Sequence, residues 1–150
     1  GLIEAGEKQE REPQYSQKAA SHDGNDYGST YVEINLTAQH LYFYKGGSLV
    51  VQSDFVSGNE SKGWSTPAGA YPLTYKQRNA TLKGENYSTP VSYWMPFNGG
   101  IGLHDAYWRS SFGGTIYKTN GSHGCINLPP AVAKTIYENI SAGTAVLCYH

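Results

Sequence analysis

The chain is short of three things, and each shortage removes a class of function. Positive charge is not in excess: 11 Lys and Arg against 12 Asp and Glu leave a formal net charge of −1. No basic field is available to draw in a nucleic-acid backbone or an anionic membrane, so nucleic acid is excluded as a partner. Long apolar runs are missing as well, and nothing approaches the roughly 18 residues a membrane-spanning helix needs. The opening GLIEAGEKQEREPQ lacks the apolar stretch of a signal peptide; that describes this stretch and leaves the natural precursor open. Cysteine is scarce. Two residues allow one disulfide and no zinc framework.

What is present points to a single β-rich domain. A chain of 150 residues suits one core, and its Gly, Ser, Thr, Asn and Tyr content fits strands better than a helical bundle. Residues 1–29 are polar and charged, cannot bury enough surface to offset their ordering entropy, and read as a linker or tether. From Tyr31 the pattern changes. In YVEINLT, Val32, Ile34 and Leu36 alternate with Glu33 and Asn35, the mark of a half-buried strand. HLYFYK and SLVVQSDF flank Gly46-Gly47, a hairpin signal. Further strands are expected in GAYPLTYKQ, VSYWMPF, GGIGLHD and TAVLCYH. One helix stands out in LPPAVAKTIYENISAG, with prolines at its start, Val132, Ile136 and Ile140 at helical spacing, and Gly143 as its stop. The expected fold is mostly β, a β-sandwich or open barrel of two sheets with one packed helix near the C-terminus.

The chemistry concentrates in SHGCIN, Ser122 to Asn127, and in His104 of IGLHDAYW. A cysteine attacks as its thiolate, and a histidine nearby can take the proton or hold the thiolate as an ion pair. Gly124 allows a tight turn that brings backbone N–H groups toward a bound carbonyl. Thiol, imidazole and backbone donors suffice for acyl transfer. Redox work would call for a second cysteine close by, and a closed metal site for more ligands than His104, His123 and Cys125. Cys148 alternates within the terminal apolar strand and reads as inert core. The polar neighbours of Cys125 set it apart. Geometry favours His104 as the base, because His123 lies two residues before Cys125, about 6.5 Å along an extended segment.

The His104-to-Cys125 spacing ending in SHGCIN resembles the signature of the L,D-transpeptidase (YkuD-type) catalytic domain. STPAGAYPL is similar to that family's Thr-Pro-x-Gly segment, and YVEINLTAQHLYFYKGGSLVVQSDFVSG and PPAVAKTIYENISAGTAVLCYH are similar to its opening strands and closing helix and strand. The likeness makes residues 30–150 the catalytic domain and implies acyl transfer on peptidoglycan stem peptides. Cys125 would attack a tetrapeptide donor at the L-centre of its third residue and release D-Ala. The acyl group would pass to a diamino-residue acceptor, giving a 3→3 cross-link. His104 matches the base, Gly124 and Cys125 the oxyanion donors, and Ser122 and His123 positions that support and line the site. Carbapenem β-lactams are expected as covalent inhibitors, at an extracytoplasmic site in the bacterial cell wall, with a secreted or membrane-anchored precursor and a monomeric domain.

Two positions depart from the common pattern. Asn127 stands where many members carry Arg, so a charged role does not carry over, although Asn can hold backbone or substrate. Asp105 stands where many have Gly, and the group orienting His104 is left among a carbonyl near Asp105, the Asp105 carboxylate and Ser122. Asp105, Asn127, Trp94 and Trp108 are candidate substrate contacts. Hydrolysis of the same acyl-enzyme, as an L,D-carboxypeptidase, is the alternative reading. A non-catalytic wall-binding module would leave SHGC unexplained. A sortase-like site would want Arg after the cysteine, and papain-like and NlpC/P60-like peptidases place Cys before His.

Overall fold

The computed structural model describes residues 28–84 and 87–150, so all but the end of the expected tether lies outside the described residues. The alternation in YVEIN forms β1 (Tyr31–Asn35), and Val32 and Ile34 enter the core, followed by Leu36. Glu33 is buried too, because β1 is the central strand of its sheet and both faces are covered; the half-buried expectation is corrected there. β2 (His40–Lys45) and β3 (Ser48–Asp54) make the expected hairpin. Gly46 and Gly47 have φ of 60° and 84°, the pair of positive values that a tight hairpin turn needs and that side chains resist.

The remaining strands are β4 (Gly69–Pro72), β5 (Gln77–Gly84), β6 (Tyr87–Asn98), β7 (Ile101–Asp105), β8 (Ile126–Leu128) and β9 (Ala145–Tyr149). They form a five-stranded sheet ordered β3-β2-β1-β9-β4 and a four-stranded sheet ordered β5-β6-β7-β8. Neither closes into a barrel. Two neighbours are parallel, β1 with β9 and β7 with β8; the other pairings are antiparallel.

Among the described residues two α-helices join the strands: a short α1 (Ile116–Asn120) and the main helix α2 (Pro130–Asn139). α2 begins at the prolines, where a missing N–H costs nothing, and packs against β6 and β7 of one sheet and β3 of the other. Ala133, Ile136 and Ile140 are buried, with Val132 at the edge. The helix ends before Gly143, at an extended Ile140. Gly143 instead donates its N–H to the Leu73 carbonyl at 2.7 Å, tying the turn after the helix to the chain beyond β4.

β8 is only three residues long, yet it matters most for the site. Ile126 and Leu128 are fully buried, each stabilising by roughly 1.5–3 kcal/mol. That anchorage fixes which way the residues between and before them point.

Candidate active site

β7 and β8 run parallel with Leu103 opposite Ile126, His104 opposite Asn127 and Asp105 opposite Leu128. Side chains alternate faces along a strand, so the buried Leu103, Ile126 and Leu128 define the core side. His104 and Asn127 share the other side, and Cys125, two residues before Asn127, joins them. Trp94 of β6 lies opposite His104 in the antiparallel register. These side chains open onto a cavity of about 440 Å³, whose lining includes Cys125, His104, Asn127, Trp94, Trp108 and Arg109.

The segment carrying Cys125 is held from several directions. Gly124 has φ of 132°, a conformation that side chains avoid. Ser122 Oγ donates to the Cys125 carbonyl at 2.5 Å and accepts the Gly124 N–H at 3.0 Å. Thr66 Oγ1 donates to the Gly124 carbonyl at 2.6 Å and accepts the Gly58 N–H at 3.0 Å. The backbone of Ser122 exchanges bonds with Ser57 and Asn59, both at 2.9 Å. Ser122 thus braces the loop from within. Gly124 is a correction as an oxyanion donor, since its N–H is turned to the Ser122 hydroxyl.

His104 is almost fully buried, and its Nδ1–H donates to the Asp105 backbone carbonyl at 2.8 Å. A carbonyl only accepts, so Nδ1 carries the proton and Nε2 keeps its lone pair. Asn127 Nδ2 points its N–H at Nε2 from 3.3 Å. The orientation of that amide is fixed in turn, because Arg109 Nε–H donates to Asn127 Oδ1 at 2.8 Å. Arg109 Nη1 donates to the Asn120 carbonyl at 2.9 Å.

Of the three groups expected to orient His104, the backbone carbonyl is the one in place. The Asp105 carboxylate accepts the Ser92 and Tyr93 N–H groups at 2.9 and 2.8 Å. Asp105 is buried on the core-side face and absent from the cavity lining, neither a solvated loop residue nor positioned as a substrate contact.

Burial lowers the His104 pKa below 6.5, and the Arg109 charge lowers it further; the Asp105 carbonyl and carboxylate oppose them. Burial pushes the Cys125 thiol up to about 11, against a hydrogen bond from the Gly102 backbone. The thiol itself donates to the Gly100 carbonyl at 3.4 Å. Both shifts favour the uncharged forms, a thiol at Cys125 and a neutral imidazole at His104. Cys148 is unpaired and buried in β9, its thiol pushed up to about 12.

Aromatic rings frame both histidines. The exposed His123 sits with its ring centroid 4.3 Å from those of Trp64 and Tyr87. Trp94 and Trp108 each lie 6.0 Å from His104; Trp94 is buried and Trp108 exposed. Thr66, Tyr87 and Arg109 are contributors that the sequence reading did not assign. Thr66 had a signal in STPAGAYPL, whereas Arg109 reaches Asn127 only through tertiary structure. Among the described residues no three His, Cys, Asp or Glu side chains gather as metal ligands.

Fold and site together define a two-sheet, mostly β domain with a thiol and an imidazole facing one cavity. The family model of the L,D-transpeptidase (YkuD) catalytic domain matches residues 29–148, and the chain belongs to that family. A crystal structure of a Cys-to-Ser mutant of Enterococcus faecium L,D-transpeptidase is 36% identical, with a TM-score of 0.77 over 94% of this chain and 64% of that one. The catalytic domain from the E. faecium enzyme, solved by NMR after acylation by ertapenem, is 43% identical, with a TM-score of 0.72 over 81% of this chain and 97% of that one. YciB of Bacillus subtilis (strain 168) is 27% identical over 125 residues, 78% of this chain. This chain spans 64% of the length of YciB.

Proposed function

We propose that this domain is a peptidoglycan L,D-transpeptidase acting through a Cys125 thioester. The observation that carries the reading is the delivery of Cys125 and His104 to one face of the β7–β8 pair, where both line the same cavity and Nε2 carries no proton. In the acylation step Nε2 takes the thiol proton as sulfur bonds to the carbonyl that precedes the terminal D-Ala. The tetrahedral oxyanion collapses, the C–N bond breaks, and the imidazolium returns its proton to the departing D-Ala amine. The side-chain amine of a second stem then attacks the thioester, loses its proton to His104, and expels the thiolate. The Cys125 N–H is the motif donor left for the oxyanion, given the turn of Gly124. A peptidoglycan substrate is consistent with work outside the cytoplasm, at the bacterial cell wall, and one domain holds every residue that this reading uses.

One solved relative is the E. faecium catalytic domain acylated by ertapenem and another is an avibactam carbamoyl enzyme, which supports Cys125 as the target of β-lactam acylation here. The test is intact-mass spectrometry with defined stems and a carbapenem. A tetrapeptide is expected to acylate Cys125 with loss of D-Ala and to yield a 3→3 dimer, while a pentapeptide serves poorly. Cys125→Ser is expected to lose both the stem and carbapenem adducts, and Cys148→Ser to keep them. A free tripeptide in place of the dimer would make the enzyme a carboxypeptidase. A Cys125–Cys148 disulfide in the active protein would rule the mechanism out.

A further inference from the structure

Among the described residues, the charged groups lining the cavity are of one sign: Lys83 and Arg109 border it together with His104 and His123, and no described Asp or Glu does. In a chain whose formal charges nearly cancel, that is a local cationic field. Lys83 is an exposed residue of β5, and its ammonium is free to swing. Arg109 is different: it is partly buried and aimed.

Its two contacts, to Asn127 Oδ1 and to the Asn120 carbonyl, use two of five N–H donors and hold the guanidinium in one place. Neither contact is a carboxylate, and no ion pair neutralises Arg109 among the described residues. Arg109 lines the cavity, and its remaining donors belong to a planar fork, the geometry that binds carboxylates by two parallel bonds.

Position then decides which ligand group it meets. Arg109 bonds to Asn127 at 2.8 Å, and Asn127 lies 3.3 Å from His104 Nε2. The guanidinium is thus one side chain away from the atom that returns a proton to the leaving amine. In a leaving D-amino acid only the Cα separates that amine from the terminal carboxylate. A donor whose scissile nitrogen meets His104 brings its C-terminal carboxylate to the same end of the cavity. Building on the transpeptidase reading, we propose that Arg109 is a specificity-determining residue that binds the terminal carboxylate of the donor's leaving residue. In a donor one residue longer, an amide replaces that carboxylate, and Arg109 faces an uncharged group. Selection for the shorter stem follows from one guanidinium.

The experiment compares the tetrapeptide donor with the same peptide ending in a carboxamide, using wild type, Arg109→Gln and Arg109→Lys. Wild type is expected to favour the carboxylate about 10- to 100-fold in kcat/KM, the range of a charge-assisted hydrogen bond. Arg109→Gln should collapse that ratio toward one, chiefly by slowing the carboxylate donor, and Arg109→Lys should keep part of it. If Arg109 only steadies Asn127, the glutamine variant slows both donors by the same factor and the ratio survives, which overturns the proposal. A wild type that does not distinguish the donors overturns it without any variant. Acylation by neither donor would instead bring down the transpeptidase reading, and this inference with it.

Discussion

His104 and His123 sit 19 positions apart in the chain, and what separates them chemically is which atoms they touch. His104 spends Nδ1–H on the Asp105 carbonyl and keeps Nε2 for a proton, whereas His123 is occupied by Trp64 and Tyr87. His104→Ala is expected to slow carbapenem acylation at neutral pH by about 10²- to 10⁴-fold, the cost of losing a general base. His123→Ala should do less. Measured acylation rates that reverse this order would reassign the base. The pH profile follows from the same atoms. With its pKa held below 6.5, neutral His104 is available throughout the neutral range and is lost only as pH falls through that lowered value. The acid limb of acylation is expected below pH 6.5. Iodoacetamide, which needs the thiolate, should alkylate Cys125 faster with every rise in pH toward about 11. An acid limb at or above pH 6.5 would contradict the assignment.

At the scale of elements, the segment before β8 is held by a hydroxyl that belongs to neither β7 nor β8. Thr66→Val keeps the shape but leaves the Gly124 carbonyl and the Gly58 N–H without their partner. Each buried group so stranded costs roughly 1–3 kcal/mol. Urea denaturation of Thr66→Val is expected to show a loss of roughly 2–6 kcal/mol for the two groups together, with slower acylation, and Thr66→Ser should recover both; wild-type stability in the valine variant would show that the clamp is idle. The legibility of each element has a physical reason. β1 and the β2–β3 hairpin were readable because alternation and a Gly-Gly turn are local signals. β5 was not, because QRNATLKG buries only Ala80 fully and has no apolar period to read. β8 was too short for any period, although its Ile126 and Leu128 orient Cys125. Cys125 and His104 could be picked out from residue types, but the Arg109–Asn127–His104 chain depends on a loop folding back after β7. Asp105 misled because its place at the strand end, facing the Ser92 and Tyr93 amides, is set by pairing with β6.

Across the whole molecule, the first and last strands lie side by side. β1 and β9 pair in parallel over five positions, from Tyr31 opposite Ala145 to Asn35 opposite Tyr149, in the middle of the larger sheet. A load that draws the Tyr31 end and the Tyr149 end apart pulls these strands in opposite senses along their common axis. All five positions then bear the load at once and must slip together. β1 and β2 are antiparallel, and a load between Tyr31 and Lys45 opens them from one end, pair by pair. Single-molecule stretching is therefore expected to give a higher rupture force with handles at the Tyr31 and Tyr149 ends than with handles at Tyr31 and Lys45; equal forces would show that the central pair does not act as a clamp. The strand pairing that completes the fold would then also serve as its mechanical fastening.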